Sequence, residues 1–278
     1  MKAPSGPAPG SPAPHPAGPL WSTPLKALGL PAIEQTLLGP ILTTFRRELR
    51  QAGVRRLEPH FYLSIEWGVA PGTIAIAVPF YLARADLLAL HAEHSGHVEG
   101  QDEDDILRYL RHEMGHVVNY GYKLYESPAW IKRFGSMTQP YIEEYRPEPF
   151  SRRFVHHLPG WYAQKHPDED WAETFAVWMT PRCDWHKEYA GWPEALAKLT
   201  YCQQVMAQVG DAEPLISAAD TDEAVGELAI QLGELYPTDD ESEAPPEGLD
   251  GALQTIFSDR AASGQVRAAA ALIDSLRN

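Results

Sequence analysis

Three features that define common protein classes are scarce in this sequence: cysteine, long apolar runs and an excess of positive charge. Its 278 residues include two cysteines, Cys183 and Cys202, which cannot build a disulfide framework or a four-cysteine zinc site. We expect both to be free thiols, as is usual in a reducing compartment. The longest apolar run, residues 73–83, is interrupted by Pro79 and is too short to cross a bilayer.

A secretory leader is also missing from its usual place. Lys2 is followed by a stretch rich in proline, glycine and alanine instead of the apolar segment that a signal peptide requires. With neither a leader nor a membrane span in the sequence, we expect a cytoplasmic protein that does not interact with a membrane.

The net charge of −15 is concentrated in one segment. Residues 211–250 hold thirteen acidic and no basic side chains, whereas the rest of the chain is nearly neutral. The main body therefore has no positive field that would collect phosphate groups, and binding to nucleic acid by bulk electrostatics is disfavoured. The acidic segment itself is typical of a soluble linker, with an internal inhibitor that covers the active site as the less favoured alternative.

What the sequence does contain is enough apolar and aromatic material for a folded core. Hydrophobic residues make up 44 % of the chain and aromatic residues 10 %, which excludes a wholly disordered or coiled-coil protein. The length allows one large or two small domains. The composition divides the chain into a proline-rich extended arm (1–24), a main domain (25–208), an acidic helix with a linker (209–250) and a C-terminal helix (251–278).

The apolar periodicity predicts a mixed α+β domain. Alternating residues indicate strands at 61–67 and 74–78, and Pro79 favours the sheet edge for the second strand because proline cannot donate a hydrogen bond. Residues 126–160 lack clear periodicity and are predicted to form a long loop with one or two short helices. Helical periodicity occurs at 33–52 (interrupted or started by Pro40), 103–120, 169–180, 193–208 and 221–235.

The strongest chemical signal is the motif His112-Glu113-Met114-Gly115-His116. Residues four apart on a helix project from the same face, so both imidazoles can reach one ion. Zinc accepts such nitrogen ligands, and Glu113 is then placed to take a proton from an attacking water. The alternative interpretation is an exposed helical face that carries no metal.

A third ligand has to come from elsewhere in the chain, because the residues after His116 contain no further histidine at the spacing of the metzincin motif. Glu169 and Glu173 lie four apart on one face of a predicted helix. One carboxylate can bind the metal while the other holds a ligating histidine in the required tautomer. Acidic residues in the first turn of a capped helix are the alternative explanation.

Three stretches carry a family resemblance: RHEMGHVVNY, WYAQKHPDEDWAETFAVWMTP and YAGWPEALAKLTYCQQVM. They are similar to the zinc-binding metallopeptidases of bacteria, in the gluzincin group of zincins, over roughly residues 60–208. The resemblance implies a zincin-like α+β fold, in which a small mixed sheet with an edge strand for substrate packs on the metal-bearing helix and further helices follow. It also implies one zinc ion per chain and hydrolysis of peptide bonds.

The resemblance implies individual roles as well. In gluzincins the ligand glutamate precedes a supporting acid by four residues, which indicates Glu169 as the third ligand beside His112 and His116, and Glu173 as its supporter. Lethal-factor-type metallopeptidases have a similar arrangement with a tyrosine seven residues before the ligand. That position is Tyr162 here, and its phenol would donate a hydrogen bond to the developing oxyanion. A structural tyrosine is the alternative.

The sequence therefore favours a zinc-dependent peptidase that acts on a peptide or protein substrate, with Glu113 as general base. Two other functions fit the same residues: a zincin-like module that keeps zinc but is catalytically silent, and a metal-dependent hydrolase of a non-peptide amide. The oligomeric state is not predicted.

Other histidines are weaker candidates for metal binding or substrate contact. His91, His94 and His97, close to Glu93 and Glu99, have a spacing that could hold a second metal, but their Gly/Ser-containing surroundings favour a solvated loop. For the neighbouring residues His156 and His157, a role in contacting substrate is disfavoured, since adjacent side chains point apart on any regular element.

Overall fold

A computed structural model describes residues 20–95, 97–141 and 147–236. This part of the chain contains seven α-helices and one three-stranded sheet, which confirms a mixed α+β protein. The main compact unit spans Pro24–Ala229, and residues 20–23 and 230–236 belong to a second unit. Within the described residues, no helix combines the length and the hydrophobicity needed to span a membrane.

The first helix, α1 (Leu38–Gln51), begins five residues later than the pattern from residue 33 predicts. Pro40 lies in its first turn, where backbone N–H groups have no partner within the helix, so a missing donor costs nothing there. A short 3₁₀ turn, Ile33–Gln35, occupies the preceding segment. Pro40 thus starts this helix and does not interrupt it.

The sheet consists of β1 (His60–Ser64), β2 (Gly68–Val69) and β3 (Ala75–Pro79) in the order β1-β3-β2. The prediction that Pro79 places its strand at an edge is wrong, because β3 is central and buried along its whole length. Pro79 is the last residue of the strand, and β2 pairs only with Ala77 and Ile76. The missing donor therefore lies at the end of the strand, beyond the antiparallel pairing with β2, although β1 still reaches it through Ser64.

The helices that carry the motifs form as their patterns indicate. α2 (Ala85–Ser95) precedes α3 (Glu103–Gly121), which begins where the Asp102 side chain accepts a hydrogen bond from the Asp105 N–H. α5 (Pro167–Met179) begins two residues earlier than predicted, with Pro167 in its first turn. The remaining helices are α4 (Pro128–Phe134) in the predicted long loop, α6 (Trp185–Glu188) and α7 (Pro193–Val209).

The closest helix packing joins α3 to α5 and decides where the site forms. A Cβ atom on Gly115 would lie 2.6 Å from Cα of Ala172, so only glycine allows the two backbones to approach this closely. The Trp171 indole N–H donates to the Gly115 carbonyl at 2.8 Å. Apolar side chains from both helices, among them Met114 and Phe175, are fully buried around this contact.

The acidic part of the chain differs from its prediction. Residues 221–235 form no α-helix, and a 3₁₀ turn at Leu232–Leu235 is the regular structure there. Main-chain groups of this stretch pair with distant residues instead, as when the Val225 N–H donates to the Leu63 carbonyl at 2.9 Å. The predicted C-terminal helix (251–278) and most of the proline-rich arm (1–24) lie outside the described residues.

Candidate metal centre

Two helices contribute three atoms that converge on one point. His112 and His116 lie one turn apart on α3, and Glu169 lies in the first turn of α5. The distances are 3.0 Å from His112 Nε2 to Glu169 Oε2, 3.3 Å between the two Nε2 atoms, and 3.6 Å from His116 Nε2 to Glu169 Oε2. All three residues are buried, and together they could hold a metal ion.

The donor set fits a small divalent ion. A tetrahedral ion with bonds of about 2.0–2.1 Å separates its ligand atoms by about 3.3–3.4 Å, which is close to the three distances observed here. Two imidazoles and one carboxylate are ligands that zinc accepts readily, and three protein ligands leave a fourth position for water or substrate.

Carboxylates from α5 also fix the orientation of both imidazoles. The Nδ1–H group of His112 donates to Glu173 Oε1 at 2.8 Å, and that of His116 donates to Asp168 Oδ2 at 2.9 Å. With Nδ1 committed as a donor, each Nε2 faces the common centre and offers a lone pair there once its proton is lost. This is the arrangement that a metal-ligating histidine requires.

Glu173 is held as firmly as the imidazole it supports. Its side chain is fully buried and accepts hydrogen bonds from the backbone N–H groups of His157 and Leu158, at 2.6 Å and 3.0–3.1 Å. Three donors around one carboxylate occupy its acceptor oxygens and restrict its rotation. The predicted supporter, Glu173, and the predicted ligand, Glu169, thus flank opposite nitrogens of the same ring, that of His112.

Asp168 is a site residue that the sequence reasoning missed. Besides His116, it accepts hydrogen bonds from the Asn119 amide, at 2.6 Å, and from the Tyr120 hydroxyl. The sequence features that could have indicated this role are the position of Asp168 immediately before Glu169 and the two polar side chains one helical turn after His116. Acidic residues in a first helical turn are equally explained by capping, so that signal did not stand out.

The charges of these groups are strongly coupled. Burial alone would lower the pKa of His112, but hydrogen bonds to Glu169 and Glu173 raise it to about 10. The pKa of His116 is raised as well: burial opposes the charged ring, while Asp168 and Glu169 outweigh that effect. Burial would raise the pKa of Glu169, yet the two imidazoles lower it well below its usual value. The acids of this centre therefore stabilise a positive charge at the Nε2 atoms of the two imidazoles, which either protons or a metal ion can supply.

Glu113 lies beside the centre and has no hydrogen-bond partner among the described residues. Its side chain is only 5 % exposed, and burial raises its pKa although the charges of His112 and His116 act in the opposite direction. A buried carboxylate without a donor is costly, so its presence calls for a functional explanation.

The centre opens into a cavity of about 790 Å³. Glu113, both histidines and Glu169 line its floor, and residues of β2 and the start of α5 line its walls. Tyr162, in the 3₁₀ turn Tyr162–Gln164, also faces the cavity, with its ring centroid 5.9 Å from that of His112. The structure therefore brings Tyr162 to the site that the resemblance assigned to it.

A second tyrosine at the cavity was not foreseen. The hydroxyl of Tyr141 donates to Glu169 Oε1 at 3.1 Å, which leaves Oε2 directed towards the imidazoles. Tyr141 also stacks on the ring of His166, with 5.6 Å between the centroids. It precedes α5 by more than twenty residues, and no spacing rule in the sequence connects it to Glu169.

The other candidate residues lie elsewhere. His91 and His94 are on helix α2, so the solvated-loop interpretation is wrong for them, and the His91 ring stacks on Tyr81 with 3.7 Å between the centroids. Within the described residues, His112, His116 and Glu169 form the one group of histidine, cysteine or acidic side chains whose ligand atoms lie close enough together to share a metal ion. His156 and His157 do not line the metal-centre cavity, and Cys183 and Cys202 are free.

Comparisons with protein-family models, with curated proteins and with solved structures find no match. The class of site that the geometry defines is a buried group of two histidines and one glutamate that could hold a metal ion.

Proposed function

We propose that this protein is a zinc-dependent peptidase. The observation that carries the proposal is the convergence of three metal-ligating atoms, from His112, His116 and Glu169, next to the buried carboxylate of Glu113 in one open cavity. A purely structural metal site has no use for a free carboxylate beside it or for an opening to solvent. A hydrolytic site needs both.

Zinc bound by these three residues would act as a Lewis acid and lower the pKa of a water at its fourth position towards neutrality. Glu113 then accepts the proton of the attacking water and passes it to the leaving amine. Burial raises the pKa of Glu113, which strengthens it as a base for taking up a proton.

Tyr162 is proposed as the second catalytic residue. Its place on the cavity wall beside His112 supports a hydrogen bond from the phenol to the oxyanion that forms at the scissile carbonyl. Lys165 Nζ lies 3.9 Å from the centroid of the Tyr162 ring, which helps to fix the ring. Phenylalanine at this position would retain the packing and remove the donor.

The surroundings support a peptide as substrate and a zincin-like fold as the scaffold. The short strand β2 pairs with β3 along one edge, while Gly68 and Val69 of the same strand line the cavity. An extended peptide could add to this edge by main-chain hydrogen bonds. Free thiols at Cys183 and Cys202 support a reducing, cytoplasmic location.

The test is digestion of a broad peptide library by the zinc-loaded chain, with and without a chelator, for the wild type and for Glu113→Gln. We expect chelator-sensitive cleavage by the wild type and a loss of at least about a thousandfold in the variant, with zinc content still near one per chain by elemental analysis. Glu126→Gln, an exposed acid after α3, is the matched control and should cleave like the wild type.

Two results would contradict the proposal. Loss of zinc together with activity in Glu113→Gln would make Glu113 a structural residue. One bound zinc without cleavage of any library peptide would assign the chain to the alternative class, a zinc-binding module without turnover.

A further inference from the structure

One wall of the metal-centre cavity carries negative charge that no lysine or arginine of the described residues compensates. Glu66 and Glu99 both line the cavity there, and neither forms an ion pair with a lysine or arginine in the described part of the chain. The one lysine or arginine among the lining residues is Lys165, which packs on Tyr162. The lining of the cavity thus carries the two acidic side chains on one part and the lysine on another.

An aromatic pair lines the same cavity as the two glutamates. The rings of Trp67 and Tyr109 stack with 5.4 Å between their centroids and 8° between their planes. The Trp67 indole N–H donates to the Glu99 carbonyl at 3.4 Å, and the Tyr81 hydroxyl donates to the same oxygen at 3.3 Å. These contacts hold the Glu99 main chain against the stacked pair.

The position of this wall relative to the proposed chemistry follows from α3. Tyr109 lies one helical turn before Glu113, and both face the same cavity. A side chain seated on Tyr109 and Trp67 would therefore belong to a residue close to the scissile bond.

Two features of the wall indicate a ligand with positive charge. Burial and the neighbouring charges of Glu66 and Asp105 oppose ionisation of Glu99 and raise its pKa, although His97 and Tyr109 act in the opposite direction. Glu113, which the proposed mechanism uses as general base, adds a further acid to the same cavity. Stacked aromatic rings flanked by carboxylates are the environment in which a guanidinium group is bound best.

Building on the proposed peptidase function, we infer that Glu66, Glu99, Trp67 and Tyr109 form a subsite for a positively charged side chain of the substrate, with arginine preferred. A planar guanidinium can stack on the indole while its N–H groups donate to the two carboxylates. Lysine offers the charge without the planar stacking surface, so it should follow arginine, and an acidic side chain should be excluded by repulsion.

The test measures binding apart from turnover. Peptides that differ at a single position, with arginine, citrulline or glutamate, are titrated against the full Glu113→Gln chain with zinc present, and fluorescence anisotropy gives Kd. Citrulline is nearly isosteric with arginine but neutral. We expect the arginine peptide to bind at least about tenfold more tightly than the citrulline peptide, with the difference shrinking as salt is raised.

Variants then locate the effect. Glu66→Gln combined with Glu99→Gln should remove the preference for arginine and leave citrulline binding nearly unchanged. Glu93→Gln, which removes an exposed acid on α2, is the matched control and should retain the preference. Equal affinity for arginine and citrulline peptides in the parent chain, or a preference that survives the double variant, would overturn the inference.

Cleavage by the wild-type chain separates this inference from the function on which it rests. Arginine-selective binding without any cleavage would remove the peptidase proposal and keep the subsite. Cleavage with no preference for arginine near the cut would keep the peptidase and remove the subsite. Absence of both binding and cleavage would contradict both.

Discussion

Helix α5 buries acidic side chains on two faces, and the chain compensates them in different ways. On one face Asp170 meets Lys198, whose Nζ donates to Asp170 Oδ2 at 2.6 Å and to the Arg153 carbonyl at 2.9 Å. On the other face, the basic side chains that Asp168, Glu169 and Glu173 meet in the described part of the chain are the imidazoles of α3.

The difference lies in whether the positive charge can be exchanged. A lysine ammonium fills its place with its own side-chain atoms and has no lone pair to offer a metal while it is charged, so the Asp170 pair is a structural contact. An imidazole can lose the proton on Nε2 and present a lone pair instead. The face that meets α3 can therefore replace protons by a metal ion, whereas the face that meets α7 cannot.

The largest effect is expected from the two neighbouring acids Glu169 and Asp170. Glu169→Gln removes a ligand, so zinc affinity should fall by more than the roughly 10–100-fold that the loss of a supporting partner costs. Asp170→Asn also replaces a carboxylate of α5 by the corresponding amide, but it should leave zinc affinity close to that of the wild type. Competition with a chromophoric chelator measures both, at a temperature where each variant is folded. Similar losses in the two variants would show that zinc binding depends on the helix as a whole.

The lysine pair should govern stability. Lys198→Met leaves the Asp170 carboxylate buried without a cation and should lower the free energy of unfolding by about 3–5 kcal/mol in a denaturant titration. Burial already raises the pKa of Asp170 to about 7, against the opposing charge of Lys198. Adding Asp170→Leu to the lysine variant should recover much of the loss, because an apolar pair replaces the orphaned charge. If the double variant is no more stable than Lys198→Met alone, the ion pair with Asp170 is not the source of the stability that Lys198 provides.

Zinc affinity should depend on pH through the imidazole face. The pKa of His112 is about 10 when its ring is held by Glu169 and Glu173, so zinc has to displace a proton from Nε2 at neutral pH. Zinc affinity should therefore rise with pH between about 6 and 9, about tenfold per unit for each displaced proton. Calorimetry in buffers of different ionisation enthalpy counts the released protons directly. Release of no proton at pH 7 would contradict the protonated state inferred for these rings.

The smallest of these effects concerns the supporting carboxylates. Asp168→Asn and Glu173→Gln each disturb the hydrogen bond to one Nδ1 and should weaken zinc binding about 10–100-fold while retaining all three ligands. The Glu173 variant should also lose stability, because two backbone N–H groups depend on that carboxylate. Wild-type zinc affinity in both variants would show that the rings are oriented by packing alone.

The sequence predicted those parts of the site that depend on local spacing. The four-residue interval in the HExxH motif placed His112 and His116 on one helical face, and the same interval paired Glu169 with Glu173. The structure brings these four residues together, with His112 between the two glutamates. The contacts of Asp168 with His116 and of Tyr141 with Glu169 could not be predicted from sequence spacing. Both contacts depend on how separate segments of the chain pack against each other.

The errors have a similar origin. Pro79 was expected to exclude its strand from the sheet centre, but it is the last residue of β3, where a proline leaves the pairing of the preceding residues with β2 intact. The helical pattern at 221–235 did not produce an α-helix, because main-chain groups such as the Val225 N–H pair with residues distant in the sequence. Local propensity was outweighed by tertiary hydrogen bonding in that segment.

By itself, then, the sequence determined that α1, α3, α5 and α7 form and which of their side chains share a face, because backbone periodicity depends on near neighbours. The tertiary structure decided which nitrogen of each imidazole faces the centre and which acid holds it. That decision rests on the close approach of Gly115 to Ala172, a contact between remote segments that no local pattern encodes. Only once the backbones of α3 and α5 are in contact do two imidazoles and a carboxylate lie within reach of a single ion.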